Sequence, residues 1–235
     1  MTKQTNMALT GIKACVFDAY GTLLDVRSAT ARLSQQLEGK AEQVGALWRQ
    51  RQLEYTWLRS LMQRHQDFWA VTRDALDHAF GAIGLPDDES LKSRLMEAYL
   101  SLNAYSDVAP TLAELRRSGL RTAILSNGTP AMLAAGVQSA AISDSLDAVL
   151  SIEEVGVYKP HPSVYQLACD RLGLERERIC FVSSNGWDVA GAATFCFQTV
   201  WLNRFDQERD RLPGQPRLIL RGLDELPALV TPDTR

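Results

Sequence analysis

Cysteine is sparse and unpaired in this sequence. Cys15, Cys169, Cys180 and Cys196 form no CxxC pair and no regular spacing, so all four are expected to be reduced and packed as small hydrophobes. Histidine is scarcer still. His65, His78 and His161 match no zinc spacing, which argues against a histidine metal site. No apolar run approaches the ~18 residues that a membrane span needs. No basic patch or tail breaks a mildly acidic chain of 25 basic and 28 acidic residues, so a nucleic-acid partner is not expected. The stretch Met1–Thr10 lacks the charged-then-apolar layout of a signal peptide, and the cytoplasm is the expected location. Internal repeats and low-complexity segments are absent too. What is present suits a globular chain of 235 residues, 46% hydrophobic and 23% charged, long enough to bury a core without staples.

Short apolar runs recur along the chain. The first, Ile12–Asp18, ends in the turn Ala-Tyr-Gly-Thr; later ones are Leu120–Leu125, Ile179–Val182, Thr199–Leu202 and Arg217–Leu220. Helical patterns at Thr111–Ser118, Pro130–Ala140, Pro162–Leu172 and Val189–Phe195 separate them. This alternation predicts an α/β fold, a Rossmann-like parallel sheet covered by helices. Residues 28–105 differ. Val44, Leu47, Trp48, Leu58, Leu61 and Met62 recur at helical spacings, and further helical patterns span Phe68–Ile83 and Glu89–Asn103, broken at Gly84-Leu85-Pro86. A helical block is therefore inserted into the core: residues 11–27 and 106–235 make the α/β part, residues 28–105 a lid or an extra packing layer. Beyond Arg204 the charge- and proline-rich chain is expected to be irregular.

In an open parallel sheet, ligands bind beyond the carboxyl ends of the strands. Four clusters follow predicted strands: Asp18-Ala-Tyr-Gly-Thr22, Ser126-Asn127-Gly128, Lys159-Pro160 and Ser183-Ser-Asn-Gly-Trp-Asp188. They would gather two carboxylates, one ammonium and several hydroxyl and amide groups at one rim. An aspartate ending a buried strand is costly to desolvate unless something pairs or uses it. Lys159 would keep Asp18 ionised, as a nucleophile must be. Each piece also has a plain structural reading: Asp18 as a turn residue, Ser126–Gly128 as a helix-capping loop, Lys159 as solvated, Asp188 as a helix-start acid. Their joint arrangement favours the functional one.

Asp18-x-x-Gly-Thr22, then Ser126, Lys159 and Asp188, in that order and each near a strand end, resembles the haloacid dehalogenase superfamily. The likeness runs from about Ile12 to Asn203, and the helical insert is similar to that superfamily's cap domain. Most members resemble phosphotransferases with a second aspartate two residues after the nucleophile, and with a magnesium-holding acid four positions before the final aspartate. Here those positions are Tyr20 and Ser184. Neither suits phosphoryl transfer, which leans on a metal for charge compensation.

The strings Phe17-Asp-Ala-Tyr-Gly-Thr-Leu-Leu-Asp-Val26, Ala46-Leu-Trp-Arg-Gln50, Gln52-Leu-Glu-Tyr-Thr-Trp-Leu-Arg-Ser-Leu61, Leu125-Ser-Asn-Gly128, Val157-Tyr-Lys-Pro160 and Ser183-Ser-Asn-Gly-Trp-Asp188 are similar to the L-2-haloacid dehalogenases. That resemblance implies a small 2-haloacid and water as substrates, no cofactor and no metal. Asp18 would displace halide to form an ester, which water then hydrolyses to the inverted 2-hydroxy acid. A departing halide needs no general acid, so Tyr20 at the second position is tolerable. The resemblance further implies that Thr22 and Ser183 orient Asp18 and that Lys159 balances its charge. Ser126, with Asn127, would bind the substrate carboxylate; Arg49 and Asn185 would receive the halide; Asp188 would position the water and fix Lys159; Tyr165 would join that network. Tyr20, Gln50, Leu53, Phe68 and Trp187 would wall the pocket. A homodimer is expected on the same resemblance and on the aromatic-rich helix carrying Trp48, Tyr55 and Trp57. The competing functions are a magnesium-dependent phosphatase or phosphonatase of the same superfamily, and a non-catalytic scaffold of this fold.

Overall fold

A computed structural model describes residues 8–232. Most of the Met1–Thr10 stretch thus lies outside the described residues. Leu9–Ile12 form β1, which pairs in parallel with β10 far along the chain. The expected strand Ile12–Asp18 is therefore divided: Ile12 belongs to β1, and β2 is Ala14–Phe17, buried on both faces. Two residues of β3 (Leu24–Asp25) lead into four helices, α1 (Ser28–Arg32), α2 (Ala41–Leu61), α3 (Phe68–Ile83) and α4 (Glu89–Leu100), and the chain returns through β4 (Asn103–Ala104). β3 and β4 pair antiparallel, Leu24 with Ala104 and Asp25 with Asn103. The helical segment thus leaves and rejoins the chain at one two-stranded neck.

Thereafter strands and helices alternate: α5 (Val108–Arg117), β5 (Arg121–Ser126), α6 (Pro130–Ser139), β6 (Ala148–Ser151), α7 (Pro162–Leu172), β7 (Ile179–Ser183), α8 (Gly186–Thr194), β8 (Gln198–Leu202), β9 (Leu218–Leu220) and β10 (Val230–Pro232). Six strands form one parallel sheet in the order β6-β5-β2-β7-β8-β9, with β2 flanked by β5 and β7. The fold is α/β with a parallel sheet, as the alternation predicts. Helix limits follow local chemistry. Asp67 caps α3 by accepting from Ala70 N–H, and left-handed Gly84 ends it; Thr129 caps α6, with Pro130 in its first turn.

Three expectations need correction. The chain beyond Arg204 is more ordered than expected: besides β9, which falls in the expected Arg217–Leu220 run, a 3-10 turn at Leu223–Ala228 leads into β10, paired with β1. Cys15, Cys169 and Cys180 are buried, but Cys196 is exposed in the turn after α8. Trp48 is not spare surface. Its ring packs on Tyr99, its indole N–H donates to Thr72 O at 2.8 Å, and Trp57 meets Trp187 edge-on. The bare apolar surface of α2 is its C-terminal end, where Leu61 is 82% exposed beside Leu58 and Met62.

Candidate active site

Phe17 pairs with Ile124 on one side and Val182 on the other, so β2, β5 and β7 end at one edge of the sheet. Asp18 follows β2 directly, and its N–H still donates to Val182 O at 3.0 Å. Gly21, at φ +92°, then turns the backbone through a conformation that L side chains rarely adopt. That turn carries Thr22 back toward the carboxylate.

Asp18 is 6% exposed, and its carboxylate is hydrogen-bonded at both oxygens. Lys159 Nζ donates to Oδ1 at 3.1 Å. On Oδ2, Asn185 Nδ2 donates at 2.9 Å and Thr22 Oγ1 lies at 3.2 Å. Lys159 Nζ also donates to Asp188 Oδ2 at 2.8 Å, and Tyr165 OH donates to Asp188 Oδ1 at 2.8 Å. Asn127 Oδ1 accepts Lys159 N–H at 3.1 Å, fixing the backbone from which the ammonium reaches in. The six side chains form one continuous network, Tyr165–Asp188–Lys159–Asp18 with Asn185 and Thr22 beyond, all buried but the half-buried Asn185. Its net charge is one negative, because a single ammonium faces two carboxylates.

That surplus explains the titration of the group. Burial opposes the Lys159 ammonium, but Asp18 and Asp188 outweigh it and hold its pKa above the ordinary lysine value. Asp188 is held above the ordinary carboxylate range, first by burial and then by Asp18, despite the opposing pull of Lys159 and Tyr165. Burial also pushes the hydroxyls of Tyr20 and Tyr165 well above the usual tyrosine value, so both stay protonated.

The helical segment closes over this rim. Arg49, on α2, donates from Nη2 to Tyr20 O at 3.2 Å and from Nη1 to Gln52 Oε1 at 2.7 Å. The Tyr20 ring stacks on Tyr99 at 5.3 Å and meets Phe68 at 5.7 Å. Gly128 touches the same ring: a Cβ there would lie 2.8 Å from Tyr20 Cε2. Leu53 sits one helical turn beyond Arg49, half-buried. A cleft of about 660 Å³, lined by Arg27, Glu42, Trp48, Arg49, Gln52 and Tyr99 among others, reaches Arg49 from the side of α2.

Three expected roles fail geometrically or change. Ser183 makes no hydrogen bond to Asp18; its Oγ accepts Asn185 N–H at 3.1 Å, and Asn185 contacts the carboxylate instead. Gln50 does not wall the pocket: it is exposed and donates to Glu54 at 2.8 Å, because one residue along a helix turns it away from the Arg49 face. Trp187 meets Trp57 and lines a separate cavity of about 500 Å³, with Pro160, Phe195 and Leu212, that excludes Asp18, Lys159 and Asp188. Ser126 is buried at the rim and accepts Gly128 N–H at 3.2 Å. Sequence reasoning missed Gln52, Thr72 and Tyr99. The available signal was spacing: Val44, Trp48, Gln52 and Thr56 recur every fourth residue and are all buried.

The haloacid dehalogenase-like hydrolase profile matches residues 12–195. The chain belongs to the haloacid dehalogenase-like hydrolases. Within them it falls in the L-2-haloacid dehalogenase branch. It is 48% identical over 219 residues to (S)-2-haloacid dehalogenase 1 of Pseudomonas sp. strain CBS-3, covering 93% of this chain and 96% of that one. Against (S)-2-haloacid dehalogenase 4A of Burkholderia cepacia it is 50% identical over 193 residues, 82% of this chain and 84% of the other. The solved L-2-haloacid dehalogenase from Xanthobacter autotrophicus with chloropropionic acid covalently bound superposes with a TM-score of 0.88 at 41% identity, covering 93% of this chain and 98% of that one.

The magnesium held by phosphotransferases of this superfamily does not fit the residues present here. Ser184 stands at the acidic position, with its Oγ 3.2 Å from Thr22 Oγ1 and its N–H donating to that same hydroxyl. Asp18 already has both oxygens committed. A hard dication needs anionic oxygens free to meet it.

Proposed function

We propose that the chain hydrolyses L-2-haloalkanoic acids to 2-hydroxy acids of inverted configuration, with Asp18 as the nucleophile and without a metal. One observation carries the reading: a buried carboxylate accepts from Lys159 and Asn185 with the Thr22 hydroxyl beside it, and Tyr20 and Ser184 stand where a phosphotransferase would place acids.

In the first step a carboxylate oxygen of Asp18 attacks C2, a C–O bond forms, and the C–halogen bond breaks with its electron pair leaving on the halide. Arg49, with Asn185, receives that anion. Tyr20, stacked on Tyr99, cannot protonate a leaving group at neutral pH, and none is needed. In the second step water attacks the Asp18 carbonyl carbon and the acyl C–O bond breaks. The alkoxide takes one proton of that water and the other passes to solvent, the carboxylate is restored, and the oxygen of the water stays in Asp18. Asp188, anchored by Lys159 and Tyr165, positions that water. Ser126 binds the substrate carboxylate, with its oxygen set by Gly128 N–H, while Asn127 acts through Lys159. Leu53, Phe68 and Tyr20 give the pocket its apolar wall, which strengthens each polar contact by excluding water.

Residues 11–27 and 106–235 form the catalytic core on this reading, and residues 28–105 the cap. The paired neck at Leu24–Ala104 supports that division. A cytoplasmic homodimer completes the reading; the exposed Leu58, Leu61 and Met62 supply apolar surface for it.

The test is halide release from L-2-chloropropionate in EDTA, beside hydrolysis of a generic phosphate ester with Mg²⁺. Halide release with production of D-lactate is expected. Phosphate release alone would instead establish the phosphatase, and neither activity a scaffold.

A further inference from the structure

Arginines on α2 are matched to acids, with one exception. Arg51 donates to Glu54 at 2.6 Å, three residues on, and Arg59 to Asp74 at 2.5 Å. Arg49 makes the same three-residue contact, at 2.7 Å, but its partner is the neutral amide of Gln52. It also donates to a backbone carbonyl, Tyr20 O, and lies against the neutral Tyr99 hydroxyl. Among the described residues no carboxylate pairs with Arg49, so its guanidinium is held at two ends while its charge is left uncancelled.

The amide of Gln52 has only one workable orientation. Thr72 Oγ1 donates its proton to Phe68 O at 2.6 Å. That hydroxyl can therefore only accept, and Gln52 Nε2 donates to it at 2.7 Å. Gln52 Oε1 is thereby turned to Arg49, and Tyr99 OH donates to it as well, at 3.2 Å. A flipped amide would set N–H against N–H at Arg49 and leave the carbonyl facing a hydroxyl with no proton to give. Gln52 is 1% exposed, so water cannot repair either loss. Trp48 Nε1–H, donating to Thr72 O at 2.8 Å, ties α3 to α2 at this point.

We propose that Gln52 is a positioning residue of the reaction, presenting Arg49 to the departing halide as a fully charged and oriented cation. The proposal rests on the reading of Arg49 as halide acceptor. Glutamate at position 52 would reproduce the Arg51–Glu54 pair and cancel the charge that the halide needs. Methionine would keep the bulk and the neutrality but release one end of the guanidinium.

Four variants test it: Gln52→Glu, Gln52→Met, Thr72→Ser and Arg49→Met. The readouts are kcat for 2-chloro- and 2-bromopropionate, the inhibition constant of added bromide, and the thermal midpoint. Gln52→Glu is expected to lower kcat by about 10²-fold, the scale of a misplaced reacting group, and to weaken bromide inhibition by at least about tenfold. The loss should be larger for the chloro substrate, the poorer leaving group. Gln52→Met should fall between Gln52→Glu and the wild type, and Thr72→Ser, which keeps the accepting hydroxyl, should weaken bromide inhibition less than Thr72→Val does. Equal effects of Gln52→Glu and Gln52→Met on kcat, with bromide inhibition unchanged, would mean Gln52 only packs and would overturn the proposal. Should either Gln52 variant fail to fold, Thr72→Val frees the amide to flip and must weaken bromide inhibition in the same direction; an unchanged constant would overturn the proposal too. Arg49→Met separates the two levels. If it leaves kcat and bromide inhibition intact, the reading of Arg49 is wrong; if it abolishes both while the Gln52 variants behave as wild type, only the role of Gln52 is wrong.

Discussion

Replacing Lys159 by methionine is the most demanding test of the buried network. The substitution keeps most of the stem and removes the charge, leaving Asp18 and Asp188 buried with no cation between them. Breaking a buried ion pair from one side costs ~3–5 kcal/mol. Here one ammonium serves two carboxylates, at 3.1 and 2.8 Å, so the upper part of that range, about 4–5 kcal/mol, is expected. In a chain of this length ~1 kcal/mol moves the midpoint of thermal unfolding by ~2–4 °C, which makes the expected loss about 8–20 °C near neutral pH.

The pH dependence has a definite sign. Asp188 is already held above the ordinary carboxylate range, by burial first and Asp18 second, and the variant removes the cation that holds it down. An acid whose folded-state pKa is raised contributes stability that is present below its unfolded pKa and lost as pH rises through the folded one. The gap between wild type and Lys159→Met is therefore widest at about pH 7 and narrows toward about pH 5. Calorimetric unfolding of both proteins at the two pH values measures it. A midpoint within about 3 °C of wild type at neutral pH would refute the reasoning, as would a gap that fails to narrow on acidification.

Asp18→Asn should abolish turnover, since a neutral amide is a poor nucleophile; activity above about a few per cent of wild type, with deamidation excluded by mass spectrometry, would contradict its role. Tyr165→Phe removes a hydrogen bond that lowers the Asp188 pKa, so the acid limb of the kcat/KM profile should move to higher pH, and a shift the other way would contradict the proposed water-positioning role of Asp188. Gly128→Ala sets a methyl 2.8 Å from a Tyr20 ring packed against Phe68 and Tyr99. A stability loss of ~1–3 kcal/mol is expected from the overpacking, together with a raised KM, and denaturant unfolding checks it.

Much of the rim was legible because its residues violate a local rule. Asp18 ends a run of buried apolar residues, where an unpaired carboxylate is costly, and that cost directs attention to Lys159. What stayed hidden was decided by partners distant in sequence or by quarter-turns of a helix. Ser183 and Asn185 are equally polar and two residues apart, yet Ser183 satisfies its own turn and Asn185 reaches the nucleophile. Gln50 and Gln52 are indistinguishable by type; one is exposed and the other lies at the centre of a buried network. The edge strand Ala148–Ser151 escaped notice because four residues carry too little periodicity to stand out. Ser184 was legible only as a missing acid, while its bond to Thr22 required the fold.

The neck formed by Leu24–Asp25 and Asn103–Ala104 has an implication for descent. Neither strand belongs to the six-stranded sheet, so the helices it carries can be exchanged, lengthened or lost without rewriting the strand order. The proposed bond-making groups, Asp18, Lys159 and Asp188, all lie on one side of that junction, and Arg49, Gln52, Leu53 and Phe68 on the other. The attacking and hydrolysing groups thus sit on one side of the junction and the halide acceptor with the apolar wall on the other, so a change of leaving group or chain length falls mainly on the helical side.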